Sequence, residues 1–207
     1  MVNQPDPGSE GLSESLLKGL QLPAAVYALL RDVLSKANSF DAAMSVIDQV
    51  RQAMLGDGLL TVNKVSALAA GTDAFELQRL WSSNVQAYAV SGLKRKTLTP
   101  WSRQLLLRHE VFVGEGDAVL AAAFDDHARI KALGLHSIVN VPLLIDGRCA
   151  ATLNVLGSQL KWLARDVALI ELLGMLARPW VLPGLRKQIK RKDNSNRFSP
   201  TREIISH

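Results

Sequence analysis

The spacing of apolar residues along this chain switches between helical and strand-like periods, and the switches mark out its elements. From Pro23 to Lys36, Val26, Leu29, Leu30, Val33 and Leu34 share one stripe at helical spacing, with Pro23 suited to the first turn. Asn38 or Ser39 can cap a second helix from Phe40 to Met54, whose Phe40, Ala43, Met44, Ile47, Val50 and Met54 would face inward. Gly56-Asp57-Gly58 ends it. Leu59 to Val65 and Phe75 to Ser82 then read as strands, the second alternating Phe75, Leu77, Arg79 and Trp81 against Glu76, Gln78 and Leu80. Residues 83–97 read as a long loop holding Tyr88 and the run Lys94-Arg95-Lys96. Long loops inside compact domains are more often functional than merely connecting.

Thr99-Pro100 opens a helix expected to reach His109, with a capping residue and a first-turn proline in place. Val111 to Val113 is a short strand, and Gly114-Glu115-Gly116 turns the chain. Asp117 is the expected cap of a helical stretch, broken around Phe124 to Asp126 and closed by Gly134. Two β-rich runs follow, Ser137 to Ile145 and Cys149 to Leu156, joined by Asp146-Gly147. Asp-Gly between such runs is a strong hairpin signal, because the turn needs positive φ. Pro142 cannot donate to a ladder, which predicts a bulge or a locally unpaired edge there. Ala164 to Arg178 closes the pattern as an apolar helix.

Composition limits what these elements can do. The 207 residues and 48% hydrophobic content suit one globular domain with tails. The reading is a weakly ordered segment at 1–20, a domain at 21–185 and a basic flexible tail at 186–207. The net charge of +5 lies in the tail, where seven Lys/Arg face two Asp/Glu; residues 1–185 balance at seventeen of each. A neutral domain gives no reason to expect nucleic-acid binding. The two opening helices could suggest a helix-turn-helix, but Arg51 is the one basic residue from Phe40 to Met54. Cys149 is the lone cysteine, so there is no disulfide framework and no thiolate metal cluster. The polar opening MVNQPDPGSEG lacks the features of a signal peptide, which points to the cytoplasm. Val167 to Leu185 could pass for a membrane span, yet Glu171 and Arg178 would each cost roughly 2.5–3.5 kcal/mol at a bilayer centre. Pro179 and Pro183 interrupt it as well, and a soluble helix is the expectation.

The order of elements, the hairpin NVPLLIDGRCAATLNVLG and the entry WLARDVALI resemble a GAF domain. More narrowly, the run RLWSSN…AY, then TPW, then FDDH with its Ile and Leu-Gly, then NVPL and TLN, is similar to small stand-alone bacterial GAF proteins over about residues 40–180. The resemblance implies an α+β fold: a central antiparallel sheet with terminal helices on one face and a ligand pocket on the other. It is nearly silent on chemistry, since GAF domains bind cyclic nucleotides, haem, bilins, amino acids or oxoacids. Two branches are put in doubt. Bilin-binding members need a chromophore-attaching cysteine, and free methionine sulfoxide reductases need pocket cysteines ahead of the last hairpin. Ala151 replaces the family's glycine before the TLN run, a change that still permits close packing.

Seven residues are candidates for the pocket. His127, beside Asp125 and Asp126, could face an anion; the bland alternative is a solvated charge run, and no second ligand at a fixed spacing suggests metal. Asn140 and Asn154 interrupt apolar strands, where an unpaired amide costs about 1–3 kcal/mol, so each needs a partner in the protein or in a ligand. A two-residue Asp-Gly loop would pair Asn140 with Leu153 and put the two amides on opposite faces. One extra loop residue, or a bulge at Pro142, brings them together. Trp101 and Phe124 are either core or an aromatic wall. Arg79, in an inward place among Phe75, Leu77 and Trp81, could bind an anion, as could the loop of Tyr88.

Together these residues predict a GAF sensor for a small polar or anionic metabolite, without catalysis of its own and with no cofactor specified. The alternatives are an enzyme of the free methionine sulfoxide reductase type, and an interaction module with a vestigial pocket. The last helix carries a second apolar stripe at Leu169, Leu172 and Leu176, which predicts a homodimer through it and the first helix.

Overall fold

The computed structural model describes residues 22–67 and 72–197. The segment 1–20 and the end of the basic tail, 198–207, lie outside the described residues. The first helix starts at α1 (Ala24–Ala28), with Pro23 as N-cap, and continues through a π turn at Leu29–Val33 and a 3-10 turn at Leu34–Lys36. Helix α2 (Phe40–Leu55) is capped by Ser39, whose Oγ accepts from Ala42 N. Strands β1 (Gly58–Ala67), β2 (Ala74–Ser82) and β3 (Leu93–Thr97) follow, then α3 (Pro100–Leu106) and β4 (Phe112–Glu115). Two short helices, α4 (Asp117–Ala123) and α5 (His127–Ala132), lead into the hairpin of β5 (Ser137–Ile145) and β6 (Arg148–Gly157), and α6 (Ala164–Arg197) closes the fold.

The six strands form one antiparallel sheet in the order β3-β2-β1-β6-β5-β4. Asp146 (φ 48°) and Gly147 (φ 72°) turn the central hairpin, both in the left-handed region that such two-residue loops require. Alternation along the strands then feeds two cores. Leu60, Val62, Val139, Val141, Leu153 and Val155 face α2 and α6, which bring Met44, Ile47, Val50, Ile170, Leu173 and Ala177. Leu59, Ile138 and Leu156 face the other way, onto α3, α4 and α5 through Leu105, Leu120 and Ile130. Gly174 lets α6 lie close on β5, because a Cβ there would meet Val141 Cγ1 at 2.9 Å.

Four details differ from the sequence-based reading. Part of the expected long loop, Leu93–Thr97, is the edge strand β3; its Lys-Arg-Lys run is the charged edge that discourages pairing with other chains. Helix α3 ends at Leu106, short of His109, which takes a φ of 60°. Gly116, not Asp117, is the N-cap of α4, freeing the Asp117 carboxylate to bind His136 Nδ1 at 2.9 Å and Lys131 Nζ at 2.8 Å.

Helix α6 continues through Pro179 and Pro183 to Arg197, where a boundary near Arg178 and a flexible tail from 186 were expected. Ala177, Val181 and Leu185 recur at helical spacing and are all buried, so packing carries the helix past the lost backbone donors. By length and composition Ala164–Arg186 could cross a membrane, and a third of its most apolar stretch is buried in this fold. Leu169, expected at a dimer interface, is 2% exposed within the single chain and cannot serve there.

Candidate functional site

On the face of the sheet opposite α2 and α6, side chains from five strands converge under α3 and α5. They line a cavity of about 100 Å³ that opens to solvent. Its floor is Leu59, Thr61 and Asn63 of β1, Leu77 and Arg79 of β2, Ile138 and Asn140 of β5, and Thr152, Asn154 and Leu156 of β6. Trp101, Leu105 and Leu106 of α3, with Phe124 and Ile130, close one side. Tyr88, Lys94, Lys96 and Asp126 close the other.

Two bulges set which residues arrive here. Leu80 is the extra residue on β2, since Val62 pairs with Trp81 while Asn63 pairs with Arg79. Arg79 and Leu77 therefore keep the cavity face, and Trp81 crosses to the helical core, a departure from the simple alternation that grouped all three. Ala150 is the extra residue on β6, between Leu143–Ala151 and Leu144–Cys149 pairs. The bulge expected at Pro142 is thus two pairs nearer the turn. Pro142 itself pairs with Thr152 at a point where β4 has already ended, so β5 has an open edge there.

The Ala150 bulge places Asn140 directly opposite Asn154, on one face. The amides form a chain: Trp101 Nε1 donates to Asn140 Oδ1 (2.9 Å), Asn140 Nδ2 to Asn154 Oδ1 (2.7 Å), and Asn154 Nδ2 to Thr61 Oγ1 (3.2 Å) and the Thr61 carbonyl (3.3 Å). The protein itself supplies the partners these asparagines need. Trp101 packs edge-on against Phe124 with ring centres 5.1 Å apart. Thr99 and Ser102 hold the start of α3 by a reciprocal capping box, which fixes Trp101 over the sheet.

The opposite wall is electrostatic. The Arg79 guanidinium lies 4.6 Å from the centre of the Tyr88 ring and donates from Nη1 to the Ala89 carbonyl at 3.4 Å. Arg79 Nε is buried without a hydrogen-bond partner, and Tyr88 Oη makes none of good geometry, the Asp126 carboxylate being its nearest acceptor. Burial pushes the Tyr88 phenol up to about 12, with the nearby Asp126 charge adding to it, so the hydroxyl keeps its proton and remains a donor. Burial also lowers the Arg79 pKa, though not enough to discharge a guanidinium. At the rim, Lys94 pairs with Asp126 (3.2 Å) and Lys96 with Asp125 (2.9 Å), tying β3 to the start of α5. The Lys96 hydrogen bond is the main reason Asp125 titrates below the usual carboxylate range.

Six of the seven sequence candidates line this cavity: Arg79, Tyr88, Trp101, Phe124, Asn140 and Asn154. His127 does not. It is exposed in the first turn of α5, where its neighbours Asp126 and Ile130 take the inward positions. Lys94, Lys96 and Asp126 were visible as a charge run and as part of FDDH. Their meeting is not legible, because the strand that carries both lysines has the sequence pattern of a loop. Cys149 lies outside the cavity; burial pushes its thiol up to about 12, and Sγ donates to the Ala151 carbonyl. Among the described residues no group of three His, Cys, Asp or Glu side chains could hold a metal ion.

No family model matches the chain, and no curated protein matches its sequence. Solved structures do match its fold. The GAF domain of a phosphoenolpyruvate-protein phosphotransferase from Coxiella burnetii aligns over 86% of this chain and 98% of that one, with 12% identity and a TM-score of 0.59. The GAF domain of a two-component sensor histidine kinase from Bacillus halodurans aligns over 72% and 99%, with 17% identity and a TM-score of 0.52. The chromophore-binding domain of a bacteriophytochrome from R. palustris gives 14% identity and a TM-score of 0.52 over 79% of this chain and 62% of that one. The chain has the GAF fold, an α+β architecture also found in signalling proteins.

Proposed function

We propose that this GAF-fold chain is a sensor or accessory protein that binds a small polar or anionic molecule and performs no chemistry of its own. The observation that carries the reading is a pair of buried donors on residues of the cavity wall, Arg79 Nε and Tyr88 Oη, neither of which makes a well-formed hydrogen bond. A buried donor without an acceptor costs about 1–3 kcal/mol, so an arrangement that keeps such donors beside a cavity is suited to an acceptor brought in from outside. Lys94 and Lys96 at the rim favour approach of an anion. A cytoplasmic, self-associating protein without a membrane span or nucleic-acid partner fits the neutral folded part and the packing of α6 on the sheet.

The reductase reading finds less support, since Cys149 lies away from the cavity with its thiol held protonated. The test of the proposal is a thermal-shift screen of small metabolites against the full chain and an Arg79→Met variant. Ligands that raise the melting temperature of the first and not of the second support it. A screen in which anionic and polar metabolites leave both unchanged, while methionine sulfoxide is reduced in a Cys149-dependent way, overturns it.

A further inference from the structure

Resting on the reading of this cavity as a binding site, the geometry points to a short monocarboxylate as its ligand, with the carboxylate on Arg79 Nε and Tyr88 Oη and the tail against the apolar wall of Leu77, Leu105 and Ile130. Three observations select this class.

The first is charge. Lys96 pairs with Asp125, and Asp126, which pairs with Lys94, also acts on Arg79, so these three cations exceed their carboxylates by one charge. One uncompensated cation matches a monoanion; a phosphate dianion or a dicarboxylate would bring one charge too many into a buried site.

The second is donor count. The polar atoms left over are two donors on adjacent, stacked side chains, and a carboxylate offers two acceptor oxygens. The amides across the cavity offer little competition. Asn154 Nδ2 donates to the carbonyl and hydroxyl of Thr61, and Asn140 Nδ2 donates to Asn154. Tyr88, 5% exposed, is held as a neutral phenol by its burial, so it donates to an anion and does not repel one.

The third is size. A cavity of roughly 150 Å³ accommodates benzene, with its ring of about six heavy atoms. At about 100 Å³ this one suits a molecule of similar size or smaller. That is far below the 300–1,000 Å³ typical of sites for nucleotide- or drug-sized ligands. A carboxylate bearing one or two further carbons fits, and the apolar wall favours carbons there over hydroxyls.

The experiment is calorimetric titration of the full chain with propionate, its neutral isostere propionamide, succinate and inorganic phosphate, with the indole N–H resonance of Trp101 followed by NMR as a reporter inside the cavity. The inference expects propionate to bind and shift that resonance, and propionamide to bind at least tenfold more weakly. Arg79→Met should weaken propionate at least tenfold. Tyr88→Phe, which removes one atom and leaves the ring stacked, should weaken it several-fold, and this variant carries the test if Arg79→Met does not fold. Phosphate, succinate or propionamide binding more tightly than propionate, with the Trp101 signal moving, overturns the monocarboxylate class and leaves the cavity a binding site. If no probe binds and that signal stays still, while the metabolite screen also yields nothing, the cavity holds water alone and both readings fall.

Discussion

Asn140 and Asn154 stand opposite one another on β5 and β6, and Asn140 Nδ2 donates to Asn154 Oδ1 at 2.7 Å. Each is nearly inaccessible, at 1% and 5% exposed, in the middle of a largely apolar strand. The pair lies at the centre of a chain of bonds from α3 to β1, so its loss orphans groups at both ends. Asn140→Ala leaves Trp101 Nε1 and Asn154 Oδ1 without their partners. At about 1–3 kcal/mol for each unsatisfied buried group, the expected loss is about 2–6 kcal/mol in urea unfolding. A double-mutant cycle of Asn140→Ala with Asn154→Ala should return a coupling of about 0.5–3 kcal/mol. Additive losses would mean that the two amides are satisfied independently.

How these amides meet also shows where the sequence was readable. The hairpin is legible because Asp146-Gly147 supplies two positive-φ positions between β-branched runs, and the cores follow from its alternation. Which face Asn154 takes is not legible. It depends on one extra residue, Ala150, whose side chain resembles its neighbour Ala151 in every respect a pattern can register. The same holds for Leu80, which bulges within an apparently regular alternation and sends Trp81 to the other core. β3 is not legible in the sequence because Leu93–Thr97 carries three adjacent cations and shows no apolar period. Helix α6 passes two prolines because burial of Val181 and Leu185 outweighs a local penalty that sequence alone makes look decisive.

Deleting Ala150 should therefore remove the bulge and keep the register. With Cys149 joined to Ala151, the two-residue turn still pairs Leu143 with Ala151 and Asn140 with Asn154. What changes is the extra local twist that a bulge gives its strand. The expected result is a chain that still unfolds cooperatively in urea, with the Trp101 indole resonance of the wild type. A deletion variant without a cooperative transition would show that the bend at Ala150, and not the register alone, is needed by the sheet.

Tyr88 makes a prediction about alkaline pH. Its folded pKa of about 12 lies above the value of about 10 for an exposed phenol. Between those values the folded state keeps a proton that the unfolded chain has released, so stability falls as pH rises. The contribution is complete below about pH 10 and gone above about pH 12. Allowing for partial solvent access, the loss over that window is about 1–2 kcal/mol. Phenolate absorbance should show a step near pH 12 that Tyr88→Phe abolishes, and the same variant should flatten the pH dependence of unfolding. A Tyr88 that ionises near pH 10 would mean that water reaches its hydroxyl.

The last prediction concerns the outer side of α6. The face toward the sheet and α2 holds Leu169, Ile170, Leu173, Ala177, Val181 and Leu185, all buried in the single chain. Turned away from it are Leu172, half-buried, and Met175, 57% exposed. On the first helix, Tyr27 and Val33 are 56% and 44% exposed. Burying apolar area stabilises by about 25 cal/mol per Å², and a stable interface covers about 800 Å² on each partner. Association costs several kcal/mol, so the face must be covered nearly whole for a dimer to persist. A two-fold pairing of α6 against its copy would do this, because a helix stripe is complementary to itself when the partner runs antiparallel. The homodimer is therefore expected to meet at Leu172 and Met175, with Leu169 excluded from the contact. Light scattering should give a mass near twice 22.5 kDa at micromolar concentration. Met175→Glu, at an exposed position that costs the fold little, should return the single-chain mass with an unchanged circular dichroism spectrum. A wild-type mass that stays at 22.5 kDa at every concentration would leave this face to solvent or to a different partner.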